Sequence, residues 1–314
     1  MITFRYHVVS LVAVLLALAA GIVLGSGPLQ GQVSDRLTSR AGQDGQRTAA
    51  RTQQQDAQAV SDFQNAFAAT AAEQLVPQVL DRRTVLLVTL PGADGETVDA
   101  ARQQVVDAGA TVTGVVEVRE KLLDPAERQL AEGVSQQVLD QASGSPALAG
   151  LTSYGLVGTA IGRAFLTARP IGDTVDGAAR TISTSFAEAG FLTEGDPLQR
   201  RASLALVIVG TVDATPIAGQ AELFAQVVQG MDAVAAGVVV AGPPSAGDPG
   251  GLLAAVREGE AAATVSTVDT VEVAAGRIVA VLALAEQAAG RSGHYGTTNA
   301  ADGAVPRETA NPPT

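Results

Sequence analysis

Cysteine is absent from all 314 residues, so the chain has neither disulfides nor thiolate metal ligands. A chain of this length can bury a stable core without crosslinks, and the missing disulfides therefore do not argue against a location outside the cytoplasm. Tryptophan is also absent, and aromatic residues make up 3% of the chain. Because alanine, valine and glycine are abundant instead, we expect a core built largely from valine, leucine and alanine.

Basic residues are scarce: 20 lysines and arginines stand against 32 acidic residues, which gives a net charge of -12. Binding to nucleic acid depends on cations that neutralise phosphates, and this composition offers no basic surface of that kind. The same balance argues against tight attachment to anionic lipid beyond the N-terminal apolar segment. We therefore expect no nucleic-acid partner.

Charged residues are missing altogether from the stretch Val8 to Leu24, where Ser10 is the one polar side chain. A helix of this length reaches ~26 Å, close to the thinner end of a bilayer core. No later stretch repeats such an apolar run over 18 residues. The pattern predicts a single transmembrane helix, with membrane lipid as its partner, and a large domain on one side of the membrane.

Two interpretations of this helix remain open, a retained anchor and the apolar core of a cleaved signal peptide. The residues Ala17-Leu18-Ala19 fit the small-x-small pattern of a cleavage site. Cleavage there would leave a short apolar core, which favours the anchor. Arg5 precedes the span and the next positive charge is Arg36, so the N-terminus is predicted inside and the bulk of the chain outside the cytoplasm.

The composition changes along the chain predict four parts. Residues 1–28 are a cytoplasmic lead and membrane anchor, and residues 29–82 are a helical stalk. The stalk has apolar residues at three-to-four spacing, among them Val60, Phe63 and Phe67. It is interpreted either as a coiled coil that pairs two copies or as a solvated helical linker. Residues 83–290 form an α/β domain, and residues 291–314, rich in Gly, Thr, Asn and Pro, are predicted to be disordered.

Short apolar runs that alternate with helical periodicity indicate the fold class of the domain. Strands are predicted at residues 84–90, 111–118, 204–210, 237–241 and 263–267, and the helices between them include residues 154–169 and 174–190. Continuous apolar strands of this kind are typical of a sheet that is buried on both faces. The sequence therefore predicts a mostly parallel, open α/β sheet with helices packed against it.

Three loops follow predicted strands at the edge where ligands usually bind in such sheets: residues 91–95, 211–213 and 242–245. None matches a dinucleotide fingerprint or a P-loop with its lysine. Ser245 follows a strand, but Pro243 replaces the first glycine of a nucleophile elbow. Asp94, Glu96 and Asp99 are interpreted as a solvated helix start rather than a cation site. We expect no catalytic residue, no cofactor and no enzymatic activity.

Four stretches of the chain are similar to one known family. They are ITFRYHVVSLVAVLLALAAGIVLGSG (residues 2–27), VLLVTLPGADG (85–95), AGATVTG (108–114) and GRSGHYG (290–296). They resemble the actinobacterial copper-transporter family known as mycobacterial copper transport protein B. The resemblance implies a cell-envelope protein, placed in the outer membrane, that acts in copper efflux and copper homeostasis. It identifies no metal ligand at any position of this sequence.

A pore needs several helices or a closed β-barrel, and one helix with an α/β domain provides neither. A transporter of this kind would therefore be a homo-oligomer. The alternative is a non-enzymatic envelope scaffold or interaction protein with an indirect effect on copper.

The supply of copper ligands is small. Cu(I) prefers thiolate and thioether sulfur, and imidazole also serves. The chain has two methionines and two histidines: Met1, Met231, His7 and His294. We therefore expect the domain beyond Arg83 to hold no tightly bound copper. Tyr295, which lies near glycines on both sides, is predicted to pack on the domain.

Overall fold

A computed structural model describes residues 41–142, 152–195, 198–211 and 217–306, and for residues 41–50 it describes the backbone alone. The predicted membrane helix, Val8 to Leu24, lies outside these residues. Within them, no helix combines the length and apolar character that a membrane span requires.

The chain divides into two compact units, residues 1–67 and residues 68–314. The described part of the first unit belongs to a 35-residue helix, α1 (Ala41–Leu75), which continues into the second unit. At ~1.5 Å per residue this helix is ~52 Å long. The rings of Phe63 and Phe67 stack with their centroids 6.5 Å apart on one side of it. The helix falls within the residues predicted as a stalk.

The second unit alternates strands with helices. Its strands are β1 (Thr84–Thr89), β2 (Thr111–Val118), β3 (Asp173–Thr174), β4 (Leu192–Glu194), β5 (Arg200–Arg201), β6 (Leu204–Ile208), β7 (Gly237–Ala241), β8 (Ser266–Val268) and β9 (His294–Tyr295). Its helices are α2 (Gly95–Asp107), α3 (Arg128–Gln141), α4 (Gly155–Phe165), α5 (Gly177–Glu188), α6 (Gln220–Asp232), α7 (Leu252–Glu258) and α8 (Ala274–Ala288).

Seven of these strands form one sheet in the order β4-β2-β1-β6-β7-β8-β9. Every neighbouring pair is parallel except β2 and β4, which are antiparallel. The remaining strands, β3 and β5, form a separate two-stranded ribbon. The predicted mostly parallel α/β sheet is thus confirmed.

Both faces of the sheet are buried, which explains why β6 and β7 carry no polar side chain and β1 has threonine only at its two ends. Leu86 and Val88 of β1 face a core shared with α3 to α7, whereas Val85 and Leu87 face a second core. That second core is closed by α2, α8 and residues 68–80. Because alternate side chains of one strand belong to different cores, neither face of these strands can be polar.

All five predicted strands are present, with shifts of a few residues at their ends. Two predicted helices are shorter than expected. The helix predicted to run to Arg169 ends at Phe165, since Leu166 bridges to Ala202 beside the sheet. The next helix begins at Gly177, where the Asp176 carboxylate accepts a hydrogen bond of 2.7 Å from the Ala179 amide. Between them lies strand β3 of the ribbon, which the sequence did not predict.

The predicted disordered tail at residues 291–314 is wrong for its first part. His294 and Tyr295 form β9, which extends the sheet beside β8. Residues as far as Pro306 are described, whereas residues 307–314 lie outside the described part. The segment is ordered because Gly293 and Gly296 make contacts that any side chain would block, and because Tyr295 is 3% exposed. The predicted packing of Tyr295 on the domain is confirmed.

Helices α4 and α6 approach each other backbone to backbone through glycines. A Cβ atom at Gly158 would overlap the carbonyl of Val227, and one at Gly230 would overlap the carbonyl of Gly155. The Thr159 hydroxyl lies in the same contact, 3.1 Å from the Gly155 oxygen and 3.3 Å from the Gly230 oxygen. Because the distance between packed helices depends on the side chains at their contact, this approach requires residues without a Cβ.

We predict that Gly158→Ala destabilises the protein, since the new methyl group forces the two helices apart. Overpacking of this kind costs about 1–3 kcal/mol. Each kcal/mol lowers the melting temperature of a domain this size by roughly 2–4 °C. Thermal unfolding followed by circular dichroism measures the change.

Gly133→Ala is the matched control, because Gly133 lies inside α3 with nothing within 4 Å of its added Cβ. It should raise stability by about 0.5–1 kcal/mol through helix propensity. Equal melting temperatures for the two variants would contradict the close contact of α4 and α6.

Candidate functional site at the carboxyl edge of the sheet

The sheet has one point at which the strand order reverses. From β1 the chain passes to β2 on one side, and it later returns to place β6 on the other side of β1. Ligands of doubly wound sheets bind in the crevice at such a point, beyond the carboxyl ends of the two strands. Two of the three loops that the sequence places at this edge, those after β1 and β6, meet here.

These two loops are packed against each other at the base of the crevice. The Leu90 amide donates to the Ile208 oxygen at 2.9 Å. A Cβ atom at Gly210 would overlap the backbone of Gly92, and one at Gly92 would lie 2.9 Å from the Thr211 oxygen. Gly92 also has φ +79°, a conformation that favours glycine. The backbones thus fill the space between the strand ends, while residues 212–216 lie outside the described part.

The N-terminus of α2, where a phosphate would bind in this class of fold, is capped by the chain's own carboxylate. Asp94 accepts hydrogen bonds from the Thr97 amide at 2.8 Å and from the Thr97 hydroxyl at 2.9 Å. These two bonds lower the pKa of Asp94 below its usual value, and the bond from the Thr97 amide has the larger effect. An anionic ligand would have to displace an anion already in place. Asp94 therefore acts as a helix cap, as the sequence indicated.

The loop after β7 contains Ser245 in a short 3-10 helix, Pro244–Gly247. Ser245 is exposed, and its backbone oxygen accepts from the Asp248 amide at 3.2 Å. The ring of the buried His294 bonds to Thr267 instead. Among the described residues, the elements of a nucleophilic triad therefore do not meet at this serine.

The main polar cluster of this edge lies one strand further on and was not predicted. Asp269 follows β8 directly and is fully buried, and Arg257 of α7 bonds to it at 3.0 Å with a side chain 5% exposed. The Asp269 carboxylate also accepts hydrogen bonds from the Thr297 amide at 2.7 Å and from the Thr298 amide at 3.0 Å. A Cβ atom at Gly296 would overlap this carboxylate.

Arg257 also binds the segment from Tyr295 to Thr298 through its backbone oxygens. Its Nη2 donates to the Tyr295 oxygen at 3.1 Å, and its Nη1 also donates to the Thr298 oxygen. Since both charges of the pair are buried and hydrogen-bonded, the pair holds the chain after β9 against α7 and β8. Breaking such a pair by removing one partner is far more destabilising than its net contribution suggests.

His294 belongs to this cluster through Thr267. The Arg257 Nε donates to the Thr267 hydroxyl at 2.8 Å, and that hydroxyl lies 3.0 Å from Nδ1 of His294. The pKa of His294 is lowered mainly by burial and to a smaller extent by the charge of Arg257. We assign the hydroxyl hydrogen to the bond with Nδ1, which leaves the ring neutral with its own hydrogen on Nε2. In this state neither ring nitrogen offers a lone pair to a metal ion.

The Thr267–His294 pair resembles a nucleophile with its base, yet it cannot act as one. Thr267 is fully buried, so no substrate reaches its hydroxyl. The cation beside the imidazole also opposes the imidazolium that a general base must form. The pair is a structural connection between β8, β9 and α7.

Tyr295 faces the second core and completes the GRSGHYG motif. Its hydroxyl donates to Oε2 of Glu286 in α8, and Arg291 lies 3.7 Å from Oε1 of the same carboxylate. A Cβ atom at Gly293 would overlap the Tyr295 hydroxyl. Burial, followed by the bond to Glu286, raises the pKa of Tyr295. Gly293, His294, Tyr295 and Gly296 of the motif thus each have a packing role.

Lys121, the one lysine of the chain, caps a helix. Its Nζ donates to the Ala189 oxygen at 3.0 Å, just beyond the end of α5. The ammonium also lies 5.3 Å from the centre of the Phe191 ring. A cation at a helix C-terminus stabilises the helix dipole, and no phosphate-binding lysine remains in the sequence.

The described residues contain no group of three or more His, Cys, Asp or Glu side chains placed to hold a metal ion. Met231 is 2% exposed and packs in the first core, whereas His294 is 9% exposed and engaged with Thr267. Met1 and His7 lie outside the described part. The two copper-type ligands that are described are therefore committed to the interior.

Sequence reasoning found Tyr295 from its glycine-rich surroundings but missed Arg257 and Asp269. Asp269 directly follows the buried strand β8, and that position was a usable signal. Nothing in the sequence indicated that Arg257 is buried, since an arginine near the end of a short helix is normally solvated.

We predict that Tyr295→Phe lowers stability by about 1–3 kcal/mol, because Glu286 stays buried without its main donor. Tyr295→Ala should cost about 3–5 kcal/mol, since the ring is lost as well. Urea unfolding monitored by circular dichroism gives both values. If Tyr295→Phe unfolds at the same urea concentration as the unmodified protein, the hydroxyl bond contributes nothing and the role given to Glu286 is wrong.

Comparison with known proteins gives one family. The family described as "Copper transport outer membrane protein, MctB" matches residues 1–306. Proteins named "Copper transporter MctB" from Mycobacterium bovis and Mycobacterium tuberculosis are 30% identical over 311 residues, which covers 96% of this chain and 98% of theirs. The protein of that name from Mycobacterium leprae is 29% identical over 335 residues, again with 96% and 98% coverage.

Proposed function

Because this chain belongs to the MctB family of copper transport outer membrane proteins, we propose that it is a cell-envelope protein that acts in copper transport. The observation that carries the proposal is the match over nearly the whole length of both chains. Such coverage includes the N-terminal apolar run, the α/β domain and the GRSGHYG segment together. The role proposed is efflux of copper and copper homeostasis, without an enzymatic step.

The proposed attachment to the envelope is through residues 1–28. The uncharged run from Val8 to Leu24 supports a retained helix in the membrane, with Arg5 on the inner side. The α/β domain would then lie outside the cytoplasm. Its lack of cysteine fits this placement, since a core of this size is stable without crosslinks.

Residues 29–82 are proposed as a stalk between the anchor and the domain. The length of α1 and the exposure of Phe63, which is 68%, support a helix whose apolar side pairs with a second copy. Pairing of this kind would give the homo-oligomer that a copper path requires, because one helix cannot enclose a pore. The alternative, a solvated linker, would leave the protein monomeric.

Copper would be the cargo of such a protein. The burial of Met231 and the hydrogen bonding of His294 support a role in which the domain does not hold the ion tightly. Transport would then proceed through an assembly or a weak path lined by carboxylates. The second candidate is a scaffold that affects copper indirectly through another envelope protein, and the same two observations favour it.

We predict that the second compact unit, residues 68–314, retains less than one copper ion per chain in equilibrium dialysis against a Cu(I) chelator. The physical reason is that no described sulfur or imidazole is free to coordinate. One retained copper per chain at sub-micromolar free metal would contradict this prediction and indicate a direct carrier. Copper flux into vesicles containing the full chain then separates transport from scaffolding, since a scaffold alone gives no flux above empty vesicles.

Topology gives a separate prediction. Protease added to intact spheroplasts should degrade the chain beyond Leu29, because the domain is exposed on the outer side. A cytoplasmic marker protein must survive as the control for intact cells. Protection of the domain until lysis would reverse the orientation, and an N-terminal sequence starting near Ala20 would show cleavage instead of anchoring.

A further inference from the structure

The β3–β5 ribbon and the turn that precedes it concentrate positive charge in an otherwise acidic protein. Arg169, Arg200, Arg201 and Asp173 lie in the turn and the ribbon, and the pair of Arg163 in α4 and Asp176 at the start of α5 lies beside them. The next basic residue after Arg201 is Arg257, so the chain between them carries none. The net charge of -12 therefore hides a local excess of cations at one place in the fold.

Two largely buried arginines neutralise the two aspartates. Arg163, whose side chain is 10% exposed, binds Asp176 with both terminal nitrogens, at 2.7 and 3.3 Å. Arg201, 13% exposed, lies 3.1 Å from Asp173. The bond to Arg163 is the main cause that lowers the pKa of Asp176. Asp176 consequently stays ionised, and both aspartates are paired with arginines.

The outer pair of arginines remains at the surface. Arg169 is 71% exposed even though its Nη1 lies 3.1 Å from Asp173. Arg200 is exposed, and its Nη2 donates to the Ile171 oxygen at 2.8 Å. With the aspartates already neutralised, the charge presented to solvent here is positive. Only charges within about a Debye length, ~10 Å at 0.1 M salt, act strongly on an approaching surface.

An exposed apolar side chain, that of Ile171, lies between these two arginines. Arg169, Pro170, Ile171 and Gly172 form a four-residue turn, in which the Gly172 amide donates to the Arg169 oxygen at 2.9 Å. We call it the Ile171 turn. Proline at its second position is favoured in such turns. Ile171 is 55% exposed at its tip.

The turn is rigidly attached to the sheet. Gly172 has φ +75°, and a Cβ atom there would overlap the Arg201 oxygen and lie 2.9 Å from the Thr84 hydroxyl. Thr84 begins β1 and is itself bonded to Ser203 ahead of β6. The exposed isoleucine is therefore presented by the amino edge of the sheet, not by a loose loop.

We propose that the Ile171 turn docks on an anionic lipid surface, with Ile171 entering the headgroup region and Arg169 and Arg200 binding lipid phosphates. An apolar tip flanked by arginines is the pattern of interfacial binding. Nucleic acid or a soluble anion would use the arginines but gain nothing from the isoleucine, so the combination favours lipid. This contact is too small to hold a free protein, and it gains from a second attachment to the same membrane.

This docking depends on the proposed anchor only because the anchor brings the turn near lipid, and its test does not involve copper. Because the chain has no cysteine, one engineered thiol can be labelled uniquely. The full chain carrying Ile171→Cys is labelled with an environment-sensitive NBD group. It is then reconstituted in vesicles of phosphatidylcholine alone or with phosphatidylglycerol.

A matched control is Ile217→Cys, which carries the same label at an isoleucine that is 52% exposed. Ile217 precedes α6 at the opposite, carboxyl edge, in a stretch without basic residues. We expect a blue-shifted emission and loss of iodide quenching at residue 171 on anionic vesicles, and neither change at residue 217. Equal spectra at both positions, or no difference between the two lipids at residue 171, would overturn the proposal.

Two further measurements test the charges. Arg169→Gln combined with Arg200→Gln should abolish the shift at residue 171, and melting curves check that this variant folds. Without those substitutions, raising salt to 1 M should have the same effect, since the Debye length falls to ~3 Å. If sodium phosphate without vesicles produces the same blue shift and loss of quenching at residue 171, the turn is a phosphate site and the lipid proposal is wrong.

Discussion

Close approach of backbones is the constraint on which the rest of this structure depends. With few aromatic side chains available, the volume between elements must be filled by bringing the elements together. Glycine makes this possible at the contact of α4 with α6, where Gly158 and Gly230 each face a carbonyl of the other helix. Such contacts tolerate no added atom, because interiors packed this closely relax only partly around a new methyl group.

The same rule governs the two loops at the carboxyl edge of β1 and β6. Gly92 and Gly210 let the loops touch where related folds leave a crevice. Asp94 then caps α2 from within the chain. In this class of fold a phosphate often binds here. In this protein the backbone of the two loops and the Asp94 carboxylate occupy the positions that such a ligand would take. The sequence likewise has no phosphate-binding motif.

Buried charge forms a second layer of specificity. Asp269 is bonded to Arg257 and to two backbone amides, and removal of either partner would leave an unpaired charge in the interior. This pair lies between α7, β8 and the segment after β9, so it fixes the position of residues near the C-terminus. The hydrogen bond between Tyr295 and Glu286 also fixes this segment, from the opposite face of the sheet.

The sequence predicted the central sheet well because its strands are buried on both faces and therefore read as continuous apolar runs. It failed where tertiary contacts decide. His294 and Tyr295 lie in a stretch whose glycine content is typical of disorder, yet those glycines are required by contacts with Asp269 and with the tyrosine hydroxyl. Arg257 gave no signal either, because its burial depends on a strand that lies about ten residues further along the chain.

Net charge is a poor guide for a comparable reason. A value of -12 argues against binding to any anionic surface, but it is an average over the whole chain. Arg201 pairs with Asp173 in the ribbon and Arg163 pairs with Asp176 beside it, which leaves Arg169 and Arg200 to determine the local potential. Since salt screens charges beyond about 10 Å, a surface responds to those neighbours and not to the sum. Charge therefore has to be counted by position in the fold before a membrane or any other anionic partner is excluded.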